Sequence, residues 1–461
     1  MAEGALAGTT LRERSKIALT DSHLHDAMAK ATDRFALGRG LATMSVNWEE
    51  LRDAARALRT DLLSRLPAVL GQLADNVEAR GGHVFWAATA EEANAYVTDL
   101  ARRKGARLAV KSKSMVTEEI HLNAALEAVG CAAVETDLGE WIIQLAGETP
   151  SHIVAPAVHK TRGDVAALFS RIAGRELPDD PAGLCAFARD QLREKFLTAD
   201  IGISGCNFAI AESGTVLLVT NEGNGRMVTS VPKTHVAVMG MERVVETWEQ
   251  LDLMLNLLVR GATGQAISTY VTSVTGPRRP GEVDGPDEFH LVILDNGRSD
   301  LLGTSYQEML HCIRCGACLN VCPVYRQIGG HAYGWVYSGP MGAVLTPLLH
   351  KAEEAGELAG ASTLCGACWQ ACPVKIPLQD MLLALRRDKA AHAGPAEKAA
   401  WRGWASAWSH PATYRATTRL GSTAARMVPD WAAPKAWTAG RELPRPRVRK
   451  SFRGLVERGE V

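Results

Sequence analysis

The run His311-Cys312-Ile313-Arg314-Cys315-Gly316-Ala317-Cys318-Leu319-Asn320-Val321-Cys322-Pro323 and its shorter echo Leu364-Cys365-Gly366-Ala367-Cys368-Trp369-Gln370-Ala371-Cys372-Pro373 decide what the C-terminal third folds around. Seven of the ten cysteines lie in these two runs. The first has the bacterial ferredoxin spacing, in which three cysteines separated by two residues wrap one iron–sulfur cube and a fourth, just before proline, reaches a second cube. Small Gly316, Ala317, Gly366 and Ala367 let the backbone and its N–H groups approach the sulfurs. Crossing the fourth ligands assigns Cys312, Cys315, Cys318 and Cys372 to cluster one and Cys322, Cys365 and Cys368 to cluster two. With the runs aligned on their Cys-Pro ends, Ser362 stands where a leading cysteine would. Two 4Fe–4S clusters are expected, the second with three evident thiolates. Its fourth iron is met by Ser362, another side chain, water or a partner, or is missing in a 3Fe–4S form.

Structural zinc and disulfides are the competing uses of cysteine. Seven thiols in this order fit closed four-ligand zinc sets poorly. Disulfide frameworks belong to small secreted domains, whereas this chain has 461 residues and a polar, charged Met1–Lys16 with no apolar signal segment. Basic and acidic residues balance at 51 each, which argues against a general nucleic-acid or anionic-membrane surface. No apolar run of about 18 residues offers a membrane span. A cytoplasmic protein is expected, with Cys131, Cys185 and Cys206 as buried small hydrophobes.

Composition and periodicity divide the chain into a helical lead-in at 1–80, an α/β domain at 81–297, the cluster module at 298–390 and a Trp/Pro/basic tail at 391–461. In the lead-in, Leu51, Ala55, Leu58, Leu62, Leu63, Leu66 and Leu70 recur at helical spacing across 49–76. After the Gly81-Gly82 break, His83–Ala88 reads as a buried strand, 90–105 as a helix closed by Gly105, and Arg107–Val110 as the next strand. The alternation continues through Glu135–Gln144 and Ile153–Ala155 and predicts a mostly parallel sheet. The spacing predicts further helices over 164–172 and from Pro181 to about Ala199. Close-set β pieces follow at Ile201–Gly205, Asn207–Ala211, Thr215–Thr220 and His235–Met239, with a strong turn at Asn221–Arg226. A helix over 242–260 and a strand at His290–Leu294 complete the domain, and Leu378–Lys389 reads as an amphipathic helix stacked on the cluster core.

Ligands of open parallel sheets bind at the C-terminal strand edge, which is where Lys111 and Lys113 fall. Either they meet a carboxylate or phosphate, or the segment is a solvated, capped loop. Glu212, Ser213, Thr215 and Arg226 are the other nonmetal candidates, since a carboxylate, hydroxyls and a guanidinium can hold a small molecule. The competing reading is ordinary turn chemistry, with Glu222 facing solvent. No base–nucleophile set completes a catalytic constellation. His235 reads as a hydrogen-bonded core residue and His311 as a flank of cluster one. In the tail, Trp401, Trp404, Trp408, Trp431 and Trp437 precede the basic Arg441–Lys450, a composition that suits a docking arm or a tail wrapped on its own domain.

The cysteine runs, Ile203-Ser-Gly-Cys-Asn-Phe-Ala-Ile-Ala-Glu-Ser-Gly-Thr215, Thr220-Asn-Glu-Gly-Asn-Gly-Arg226, Trp437-Thr-Ala-Gly-Arg-Glu-Leu-Pro444 and Lys450-Ser-Phe-Arg-Gly-Leu455 together resemble the lactate utilization protein B (LutB) family over nearly the whole chain. The resemblance implies an α/β LUD domain, related to the fold of sugar-phosphate isomerases and coenzyme A transferases, followed by a mostly α-helical two-cluster ferredoxin-like domain. It implies the same seven cysteine ligands, and a subunit of an L-lactate-oxidising system, lactate to pyruvate, supporting growth on lactate. The partners implied are LutA-like and LutC-like companions and an electron acceptor it does not identify, with no nucleic acid and no integral membrane segment. Two alternatives stay open: the LUD domain itself binds and oxidises lactate or another small hydroxy acid through Lys111, Glu212 and Arg226, or the chain is a redox-sensing regulator. No glycine fingerprint for a dinucleotide follows a strand.

Overall fold

In a computed structural model the described residues are 9–350, 353–427 and 452–460. They fall into one compact unit through Arg386 and another from Arg387.

The strands of the first unit are β1 (His83–Ala87), β2 (Leu108–Lys111), β3 (Ala132–Glu135), β4 (Ile201–Ser204), β5 (Phe208–Ile210), β6 (Thr215–Thr220), β7 (Thr234–Gly240), β8 (Val244–Val245), β9 (Tyr270–Val274) and β10 (Glu288–Leu294). A six-stranded sheet runs β1-β10-β7-β4-β2-β3, with every pair parallel. Parallel sheets are covered on both faces, so their strands read as unbroken apolar runs, as His-Val-Ala-Val-Met does in β7. Successive side chains point to opposite faces. Val236 and Val238 therefore join one core with Val97, Leu100, Leu126 and Val292, while Ala237 and Met239 join another with Phe289, Leu291 and Ile293.

A smaller sheet, β8-β5-β6-β9, covers that second core. Here β6 pairs antiparallel with β5 and β9, and β5 pairs parallel with β8. The edge strand β9 escapes the sequence reading because Tyr270 and Val271 are exposed and no apolar run marks it. Beyond β6 the chain turns, but it enters the helix Asn224–Ser230 rather than a hairpin. That helix lies so close to β4 that a Cβ on Gly202 would come 2.0 Å from the Val228 carbonyl.

The lead-in forms helices at Leu11–Leu19, Ser22–Thr43, Trp48–Ser64 and Leu66–Ala79. The apolar stripe across 49–76 breaks at Arg65 because Pro67 opens a new helix, where its missing N–H costs nothing. Leu62, Leu66, Leu70 and Leu73 share one core with Val216 and Leu217 of β6 and with Met309, Cys312 and Cys315. The cysteine loops are thus built into the core beneath the smaller sheet. Tyr325, Tyr333 and Tyr337 of the segment between the cysteine runs are fully buried.

Three expectations are corrected. Ile153–Ala155 is a loop rather than a strand, because His152 Nδ1 accepts the N–H groups of Val154 and Ala155 at 3.0 and 3.1 Å and satisfies the backbone locally. Cys185 is exposed on the helix Pro181–Thr198, and Cys206 is only partly buried.

In the second unit, helices Pro395–Ser409 and Pro411–Met427 pack together and leave Trp401, Trp404 and Trp408 exposed, with the rings of Trp404 and Trp408 stacked at 5.3 Å. Trp431, Trp437 and the basic 441–450 stretch lie outside the described residues. Among those described, no helix is long and apolar enough to cross a membrane.

Candidate functional site

The two cysteine runs take the same backbone path. A 3-10 turn, Gln307–His311, delivers Cys312, and the loop then passes through left-handed Arg314 (φ 58°) and Gly316 (φ 77°) into the short helix Ala317–Asn320. The second run repeats this with Leu364 (φ 55°), Gly366 (φ 81°) and the helix Ala367–Ala371. Non-glycine residues held left-handed are uncommon, and two at matching positions mark the loops as built for what they enclose.

Cys312, Cys315, Cys318 and Cys372 line one apolar cavity with Met309, Ile313, Met341, Ile376 and Leu378. Burial pushes the Cys372 thiol up to about 12, because a lone thiolate in apolar surroundings is costly. Ile376 N–H points at Cys372 Sγ from 3.4 Å, and Tyr325 N–H at Cys322 Sγ from 3.5 Å. Buried arginines fix the loops through their carbonyls: Arg52 donates to Cys372 and Trp369 O, each at 2.9 Å, Arg243 to Cys312 O at 2.9 Å, and Arg59 to Leu310 O at 2.8 Å. These guanidiniums set positive charge around the first group of thiols. Among the described residues no three His, Cys, Asp or Glu side chains close on a point as a single ion requires. The first four cysteines instead ring a hollow, as a polynuclear iron–sulfur core requires.

Cys322, Cys365 and Cys368 form the second group. Cys368 is pushed up to about 11 by burial and then by Cys322. Cys365 is exposed, and so is Trp369 in the same run, at 41%. Ser362, in the position matching Cys312, accepts the Leu364 N–H on its hydroxyl at 3.1 Å.

The nonmetal residues singled out by sequence are placed apart. Lys111 is 1% exposed and clamped between Glu118 at 2.6 Å and Glu135 at 2.7 Å. Glu212 is exposed and accepts the Trp248 N–H at 2.9 Å, at the start of the helix Trp248–Thr263. Arg226 is exposed on the helix Asn224–Ser230. None of the three lines the large cavity described next. His235 is buried, with Nε2 at 2.8 Å from Ser204 Oγ.

That cavity, of about 500 Å³, opens at the C-terminal ends of β2, β4 and β7. Parallel sheets place ligands at this edge. Lys113, Asp137, Asn207, Glu222, Asn224 and Thr263 supply polar groups, and Met115, Val154, Leu258 and Val259 an apolar wall. Arg314 and Tyr337 close it from the cluster module, and Ile153 lines both this cavity and the cysteine-lined one. Glu222 is half-buried here, and burial followed by Asp137 pushes its carboxyl up to about 7.

A buried charge network joins the two walls. Arg298 meets Glu119 at 2.7 Å and Glu242 at 2.9 Å, Tyr337 donates to Glu119 at 2.6 Å, and Arg314 meets Glu242 at 3.1 Å. Against burial, which alone would raise it, Arg298, Arg314 and Arg243 hold Glu242 down at about 2. Sequence reading missed this network because its members lie far apart in the chain. The one available signal was Arg314, a bulky residue inside a tight Cys-x-x-Cys loop.

The LUD domain model matches residues 70–294, the 4Fe-4S dicluster domain model 308–376, and the lactate utilisation protein B C-terminal model 382–461. Lactate utilization protein B of Shouchella clausii is 50% identical over 97% of each chain. The chain belongs to the lactate utilization protein B family. The protein of that name from Oceanobacillus iheyensis is 50% identical, covering 96% of this chain and 95% of its own, and that from Geobacillus kaustophilus 50%, covering 93% and 92%. Family membership joins the parallel α/β LUD domain to an iron–sulfur module, the same two parts that share a core here.

Proposed function

We propose that the chain is the iron–sulfur electron-transfer subunit of a multi-protein system that oxidises L-lactate to pyruvate in the cytoplasm. Cys312, Cys315, Cys318 and Cys372 hold one 4Fe–4S cluster. Cys322, Cys365 and Cys368 hold a second, also of four irons, whose remaining corner is met from outside these seven cysteines. The observation that carries this reading is the asymmetry of the two thiol groups: the first is enclosed beside the sheet-edge cavity, the second reaches the surface at Cys365 and Trp369.

A 4Fe–4S cluster, when bound, accepts and passes one electron at a time. Two such groups in series match a reaction that releases two electrons and two protons from each lactate. The protein's share is to keep the inner thiols dry with Met309, Met341, Ile376 and Leu378, to hold the loops with Arg52 and Arg243, and to expose the outer thiols to a partner. LutA-like and LutC-like companions are the proposed partners, one delivering electrons and one receiving them or passing them to an acceptor.

Iron and sulfide analysis of the anaerobically purified chain, with low-temperature EPR before and after dithionite, tests this. About eight irons and the signals of two interacting reduced cubes are expected. About four irons, or zinc in their place, would overturn it.

A further inference from the structure

The segment between the cysteine runs carries three fully buried tyrosines, and two of their hydroxyls are used: Tyr325 donates to Ser151 O at 2.7 Å and Tyr337 to Glu119 at 2.6 Å. Among the described residues the third, Tyr333, finds no acceptor for its buried hydroxyl. A phenylalanine would fill the same space without stranding a polar group, so packing does not explain the oxygen. An unpaired buried hydroxyl in a native core marks a partner that the polypeptide itself does not supply.

The turn that carries Tyr333 is pinned on three sides. Arg14 Nε donates to Ala332 O at 2.9 Å, His331 Nε2 donates to Thr149 O at 2.7 Å, and Gly330 sits so close to Ser151 that a Cβ there would come 1.8 Å from its carbonyl oxygen. The Tyr333 ring is centred 6.3 Å from that of Tyr325, whose backbone N–H points at Cys322 Sγ from 3.5 Å. Burial is the first cause that pushes the Tyr333 phenol well above its usual range, and Cys322 is the foremost of the charged groups that add to it, ahead of Tyr325 and Cys318. The oxygen thus keeps its proton in the neighbourhood of the thiols, which makes it a hydrogen-bond donor and a poor iron ligand.

We propose that Tyr333 donates a hydrogen bond to the sulfur of the second iron–sulfur group, on its Cys322 side, and raises the reduction potential of that group alone. Hydrogen bonds to cluster sulfur tune potential, because a donor favours the more negative, reduced form. The effect holds the electron on the group that reaches the surface at Cys365. This assignment rests on the two-cluster reading and adds to it a residue that the cysteine spacing does not mark.

The test is Tyr333→Phe in the anaerobic holoprotein, with iron content measured first and the potential of each cluster followed by EPR. Iron should stay at the parent's content. The potential of one cluster should fall, its oxidised-to-reduced ratio moving by about tenfold, or about 59 mV for one electron, while the other cluster keeps its value. Pulsed EPR of the reduced proteins in ordinary and deuterated buffer should show an exchangeable-proton coupling in the parent that Tyr333→Phe lacks, a signature that a tyrosine serving only to pack would not give. A parent of about eight irons whose potentials Tyr333→Phe leaves unchanged or lowers equally, or a coupling present in both proteins, would overturn the donor role alone. Loss of iron from Tyr333→Phe with a three-iron signal would make the oxygen a ligand and overturn that role as well. A parent with about four irons would overturn the two-cluster reading beneath it.

Discussion

Arg314 and Glu242 meet at 3.1 Å, and that single ion pair ties the first cysteine loop to the turn after β7 of the parallel sheet. Behind it Glu242 is shared with Arg298, and Arg298 with Glu119, so loop, sheet and the tyrosine of the intervening segment form one buried electrostatic unit. Networks of this kind are worth little relative to an apolar replacement but are costly to break from one side.

Replacing Glu242 by Gln should therefore destabilise the protein by about 3–5 kcal/mol at neutral pH, because Arg298 and Arg314 are left short of counter-charge. The carboxyl is held at about 2, below its usual 4.5. Its contribution is thus complete above pH ~5 and is lost as pH falls from there toward 2. Denaturant midpoints of both proteins should differ most above pH 5 and converge on acidification; a constant gap would contradict the linkage.

Lys111 is expected to act through folding. Its ammonium neutralises Glu135, which is buried beside it, and burial raises the Glu135 carboxyl even so. Lys111→Met should lower the unfolding midpoint by an amount equivalent to about 3 kcal/mol, yet leave iron content and cluster potentials as in the parent. A variant as stable as the parent but without ligand binding would return Lys111 to the list of substrate contacts.

Arg52→Gln removes the guanidinium that holds Cys372 and Trp369 carbonyls. The buried Cys372 carbonyl loses its donor, at about 1–3 kcal/mol, the part-buried Trp369 carbonyl loses its own at less cost, and a positive charge leaves the neighbourhood of the first thiol group. The expected result is faster iron loss to chelator and a lower potential for one cluster only. Equal shifts in both clusters would show that the charge is not local.

Ser362→Ala should keep both clusters, since the Ser362 hydroxyl already accepts the Leu364 N–H and serves the turn. Cys365→Ala, by contrast, should lose the outer cluster's signal and leave the inner one. Iron analysis that drops for Ser362→Ala would make the serine a ligand.

Much of the architecture is legible in the chain. The apolar runs of β7 and β10 and the helix closed by Gly105 announce a covered parallel sheet, and the cysteine spacing groups four residues that do line one cavity. What is not legible depends on distant partners. Lys111 looks available at a strand end, but Glu118 and Glu135 close on it only after folding. Lys113, two residues on in the loop that leaves β2 at Lys111, is the lysine that reaches the cavity. Ile153–Ala155 has the composition of a strand, but the ring of His152 takes the Val154 and Ala155 N–H groups and Ser151 N–H closes on Pro156 O, which makes it a loop. Arg52, Arg243 and Arg298 look like surface charge in sequence and are buried because carbonyls and carboxylates from other elements await them.

The most direct test mixes the anaerobic holoprotein with its LutA-like and LutC-like companions and L-lactate, and follows cluster absorption by stopped flow alongside pyruvate. Bleaching of both clusters at a rate matching pyruvate formation, with two electrons per lactate, is the predicted result. Pyruvate formed at full rate while the clusters stay oxidised would contradict an electron-transfer role for this chain.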